Sequence, residues 1–189
     1  MVPWPKPEGY NPDDFELMQR VVDATGSADA FTRMPPGAYH GYPGPKKKYD
    51  LCCGITVVAS DQPNLNKGWA NASWDRRKQI VADHTYFEMG TFYYLANDPK
   101  VPAAIRQQYQ KYGLCKDEFI PFGNIPPQLY VRISNRLVGD YVMTQNNICG
   151  SNGSQSIAIG DWLFDEHMTG KYAVPDGNGG YTVTLEGNF

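Results

Sequence analysis

Five residues have the types and spacing for chemistry on a polar substrate. Arg132, Arg136 and His167 are the candidate catalytic groups; Tyr130 and Tyr141 are the candidate substrate contacts. A guanidinium clamps a carboxylate through paired N–H donors, or stabilises negative charge as it builds on a reacting group. A structural ion pair with Asp140 would occupy the same guanidinium groups. His167 follows Asp165 and Glu166, and a histidine beside an acid can relay a proton, whereas in an exposed turn it is only solvated. The tyrosine hydroxyls flank the arginines, where they orient a polar molecule or are satisfied within a core. Trp69, Trp74 and Trp162 offer rings for stacking on a sugar, a role weighed below core packing.

Other chemistries lack their residues. His84 falls on the inner stripe of a helix as a satisfied core histidine, and His40 lies in a Pro/Gly loop. Neither H-x-H nor H-E-x-x-H spacing occurs, so no metal site is expected. No G-x-S-x-G or Cys–His arrangement supports nucleophilic catalysis. Cys52, Cys53, Cys115 and Cys149 allow three pairings among which sequence does not choose.

The elements that must hold these groups follow from local signals. The stretch Pro126–Ile148 reads as an extended entry, then a helical turn that stops at Gly139. On a helix, Arg132 and Arg136 would share one face. Residues 1–10 read as an extended lead-in. Asn11 caps a helix with Pro12 in its first turn and Asp13 and Asp14 complementing the dipole; Phe15, Met18 and Val22 form its stripe before Gly26. The longest helix runs from about Ser73 to Asn97, and the next begins at Pro102 and ends at Gly113. Leu51–Ser60 and Ser156–Phe164 read as strands, and Lys171–Val174 and Tyr181–Leu185 flank a Pro/Asp/Gly turn. Residues 35–50 and 114–127 are long loops. The fold class is α+β: two or three helices, one long, packed on a mostly antiparallel sheet.

Length and charge narrow the partners. The 189 residues suit one domain, 1–189, or a large insert of a bigger protein. Net charge is −3, and the only basic run, Lys46–Lys48, reads as a solvated loop, so nucleic acid is not expected. No apolar run is long enough for a membrane span, and MVPWPKPEGY has no apolar signal-peptide core. Asn71 and Asn152 head glycosylation sequons that matter only in a secreted parent protein.

The organising stretch also carries a family likeness. Residues 126–145, PPQLYVRISNRLVGDYVMTQ, resemble the P-x-Q-L-Y-V-R-E-x-R-R-x-x-G-D-Y-V-M-T signature of FAD-dependent oxidoreductases sometimes labelled xanthan-lyase-like. Residues 7–22, 66–102 and 156–174 resemble flanking stretches of the same family, so the likeness covers nearly the whole chain. Ile133 and Asn135 stand where the family has Glu and Arg.

The resemblance implies FAD as cofactor and, in the complete enzyme, hydride transfer from a hydroxylated or carbohydrate-like substrate to the flavin. It places Arg132 and Arg136 on the signature arginines and His167 on the histidine of a D-x-H element. No G-x-G-x-x-G turn follows a strand, so the chain reads as a substrate-side cap domain. FAD would be bound mainly by a flavin-binding half of the same polypeptide lying outside these residues. Such a fragment is expected to be inactive alone and to expose an apolar face toward that half. A non-enzymatic carbohydrate-binding module, with aromatic side chains in a solvent-facing row, is the alternative.

Overall fold

The computed structural model describes residues 1–28, 31, 58–60, 62, 64–131, 135–148 and 170–186. Asn11 begins the first helical segment as its side chain requires, accepting the Asp13 N–H at 3.2 Å. A 3-10 turn, Pro12–Phe15, leads into α1 (Glu16–Thr25). Gly26, at φ 67°, closes the helix by donating to the Val22 carbonyl at 2.8 Å. Phe15, Met18 and Val22 are buried, as their spacing predicts.

Helix α2 (Trp74–Asn97) starts where Ser73 accepts the Arg76 N–H at 3.2 Å. Its C-terminal half is the centre of the core: Thr91, Phe92, Tyr94, Leu95 and Ala96 are buried. Gly90 is required by a close approach, because a Cβ there would lie 2.3 Å from Phe15 Cζ. Helix α3 (Ala103–Tyr109) buries Ile105 and Tyr109 against α2. It ends at Tyr109 rather than at Gly113. Beyond it the chain turns out to pair with the N-terminal lead-in: Val2 and Leu114 exchange two N–H···O bonds of 2.8 Å. Gly113 permits this, since a Cβ there would sit 2.1 Å from the Val2 oxygen. The lead-in is extended and anchored. Trp4 stacks on Phe92 at 4.1 Å and donates its Nε1–H to the Tyr109 carbonyl at 3.0 Å.

The expected α+β arrangement of helices on a mostly antiparallel sheet is overturned. The regular structure of the described residues is mostly helical, and their core is built from the 3-10 turn, α1, α2, α3, the lead-in and residues 28, 31, 58 and 101. The described strands, β1 (Gly170–Pro175) and β2 (Tyr181–Glu186), pair only with each other, from Gly170↔Glu186 to Pro175↔Tyr181. No hairpin residue whose burial is described belongs to the core. The reason is aromatic packing: Trp4, Phe15, Phe31, Phe92, Tyr94 and Tyr109 fill the space between helices that a sheet face would otherwise fill. Val58 and Ala59 are buried on turn and irregular backbone, since an apolar run without period does not fix strand geometry. Most of Leu51–Ser60, all of Ser156–Phe164 and the 35–50 loop lie outside the described residues.

The hairpin turn forms as its composition predicts. The Asp176 carboxylate accepts the N–H groups of Asn178 at 2.8 Å and Gly180 at 3.0 Å. No helix among the described residues is long and apolar enough to cross a membrane.

Candidate functional site

The stretch 126–148 is presented at the surface. Tyr130 is 77% exposed and Tyr141 56%. Arg136 is exposed on backbone without regular secondary structure, which extends over residues 135–139. The helical turn expected before Gly139 is therefore absent from residues 135–139, and the shared face expected for Arg132 and Arg136 lies partly outside the described residues. Among the described residues of this stretch the helix is the short α4 (Gln145–Ile148), preceded by Thr144, whose N–H and Oγ1 donate to Asn147 Oδ1 at 2.7 and 2.9 Å. Arg132 and His167 lie outside the described residues. Leu137 and Val138, beside Arg136, are 91% and 93% exposed, and Val142 and Met143 are exposed as well. Apolar side chains so held in water forgo the burial that stabilises the rest of the chain.

A second cluster lies next to this stretch. Asn66 Nδ2 donates to the Val131 carbonyl at 3.3 Å, which ties the loop before α2 to the residue beside Tyr130. That loop turns through Gly68, at φ 82°, into a 3-10 turn, Trp69–Asn71. Arg77, from the start of α2, donates through Nε to the Trp69 carbonyl at 3.1 Å and through Nη2 to the Ala70 carbonyl at 3.0 Å. Its guanidinium lies 5.5 Å from the Trp69 ring centroid and 5.0 Å from that of Trp74. Trp74 is 76% exposed, so it is not the core residue that its type suggested. The sequence signal for this cluster was the spacing of Trp74 and Arg77, three apart at a helix start.

His84 also departs from expectation. Its Nε2 is buried and has no hydrogen-bond partner among the described residues. Burial lowers its pKa below 6.5, and the Asp83 carboxylate opposes that shift only in part. Sequence pattern placed the ring on the inner face but carried no information about its partner.

The core tyrosines are structural. The Tyr94 hydroxyl donates to Gln19 Oε1, and burial, helped by Asp98 and Asp23, pushes its pKa up to about 12. The Tyr86 hydroxyl donates to Asp14 Oδ2 at 2.5 Å. A pocket of about 120 Å³ beside Asp14, Phe15, Phe87 and Thr91 is too small for a flavin. Among the described residues no group of three His, Cys, Asp or Glu side chains is placed to hold a metal ion.

FAD can be tested against the two long helices, because a dinucleotide pyrophosphate needs a strand, a glycine turn and an open helix N-terminus. The entry to α1 carries Asp13, Asp14 and Glu16, which repel phosphate. Before α2 the chain runs through turns and a 3-10 segment rather than a strand, and the Ser73 side chain already takes a first-turn N–H. The described residues do not fit the pyrophosphate. The comparisons with known proteins give one family: the model described as FAD dependent oxidoreductase matches residues 1–189. No curated protein and no solved structure matches the chain.

Proposed function

The chain belongs to the FAD dependent oxidoreductase family, and from that premise we propose that it forms the substrate-side surface of the enzyme. FAD, the cofactor of the family, supplies the oxidation–reduction when bound. In this reading it is held mainly by residues outside the chain. Arg136, with Arg132, holds a carboxylate or developing negative charge on a polar, hydroxylated substrate. Tyr130 and Tyr141 orient the substrate, and His167 relays a proton. The observation that carries the reading is the exposed run Leu137, Val138, Tyr141, Val142 and Met143 directly beside Arg136. An apolar rim around a charged group suits a surface closed by a flavin-binding half of the same polypeptide.

The test is the visible absorption spectrum of the purified chain after incubation with FAD and desalting. A colourless protein is expected. A retained flavin band would show that these residues hold the cofactor themselves and would overturn the substrate-side assignment. A carbohydrate-binding module without redox chemistry is the second reading, favoured by the exposure of Trp74 and Tyr130. Family membership favours the oxidoreductase.

A further inference from the structure

We propose that Trp69, Arg77 and Trp74 form a subsite for a sugar ring bearing a carboxylate, a uronic acid unit of the substrate. The inference rests on the substrate-side reading and names the substrate class. Arg77 is half-buried, and no carboxylate among the described residues pairs with it. Its two hydrogen bonds go to neutral carbonyls, through Nε and one N–H of Nη2. A guanidinium has five N–H donors, so Nη1 and the second N–H of Nη2 have no described acceptor. Those donors lie at the end of the guanidinium, where a carboxylate can accept two parallel bonds. A partly desolvated cation with no counter-charge among the described residues gains from such a partner.

The two indoles complete the argument. The guanidinium lies 5.0 Å from the Trp74 ring centroid and 5.5 Å from that of Trp69, so both rings and two carbonyl bonds restrain it before any ligand arrives. Capping of the 3-10 turn accounts for the carbonyl bonds, but not for a tryptophan left 76% exposed beside the cation. A pyranose presents a face of C–H groups that stacks on indole, while its carboxylate reaches the arginine. The Asn66–Val131 bond connects this cluster to Tyr130, so an oligosaccharide bound here would run toward the candidate catalytic stretch.

Isothermal titration of the full chain with methyl β-D-glucuronide, methyl β-D-glucoside and FAD tests the proposal. The glucuronide is expected to bind at least about tenfold more tightly than the glucoside, a difference of ~1.4 kcal/mol. Trp74→Ala, at an exposed position, should weaken the glucuronide about tenfold or more. Arg77→Lys should abolish most of the preference for glucuronide over glucoside, with retained folding checked by far-UV circular dichroism. Equal affinity for both sugars, no binding of either, or binding unchanged by Trp74→Ala would overturn it. So would FAD binding that Trp74→Ala removes. The sugar titrations contain no flavin, so their failure leaves the desalting result intact. A flavin retained on desalting by both the wild type and Trp74→Ala overturns the substrate-side reading without altering the sugar affinities.

Discussion

Leu95 and Leu137 are the same side chain in opposite circumstances: the first is 0% exposed and the second 91%. Leu95 sits on α2, where caps fix the helix and Trp4, Phe15 and Tyr109 from other elements share its core cluster. Leu137 sits on irregular backbone with Val138 beside it, and no described residue covers either. The helical region satisfies its own apolar surface; the 135–143 stretch presents it. Hydrophobicity alone therefore does not mark the core here. What marks it is hydrophobicity carried on an element whose geometry the neighbouring residues enforce.

Substitution can break that contrast. The largest effect is expected from Leu95→Ala, which empties a fully buried site and should cost about 2–5 kcal/mol in urea unfolding. Gly90→Ala comes next: its Cβ would meet the Phe15 ring at 2.3 Å, and overpacking of this kind costs about 1–3 kcal/mol.

Proton linkage sharpens the contrast from a different side. The His84 pKa is lowered in the folded state, so the unfolded chain binds more protons once the pH drops below about 6.5. Its contribution is complete above that pH and is lost as the pH falls toward the folded value. His84→Leu should flatten the dependence of the urea midpoint between pH 7 and 5. The folded Tyr94 pKa is about 12 against 10.0, so its contribution is present below pH 10.0 and lost as the pH rises toward 12. Tyr94→Phe should reduce the alkaline loss of stability over that window. The smallest effect is expected from Leu137→Ser, within about 0.5 kcal/mol in unfolding, accompanied by weaker binding of a hydrophobic dye. A loss comparable to that of Leu95→Ala would show that Leu137 is covered in solution.

Local chemistry made much of the helical region legible. Asn11, Ser73 and Gly26 act through bonds to residues two to four positions away, so the start and end of α1 and the start of α2 are readable from short windows. The Asp176 turn is readable for the same reason. The end of α3 was not, because Val2 decides it from the far side of the sequence. Nor was the helix-on-helix core, since apolar and aromatic stripes show which face is buried but not what buries it. At the candidate site, sequence singled out the stretch, and the family match covers it. The Trp69–Arg77–Trp74 cluster depends on a loop conformation that composition does not specify, and the orphaned His84 nitrogen depends on neighbours distant in sequence.

The Val2–Leu114 pair has a consequence in time. It joins residues 112 positions apart (114 − 2), and the Trp4 bond to Tyr109 spans 105. The helices form from contacts within a few residues, whereas these bonds must close a long loop and bear its entropy. During synthesis the lead-in emerges before residues 109–114 and waits for them before it can dock. These residues are thus fixed only after ones made much later, and Trp4 spends that interval without its Phe92 and Tyr109 partners.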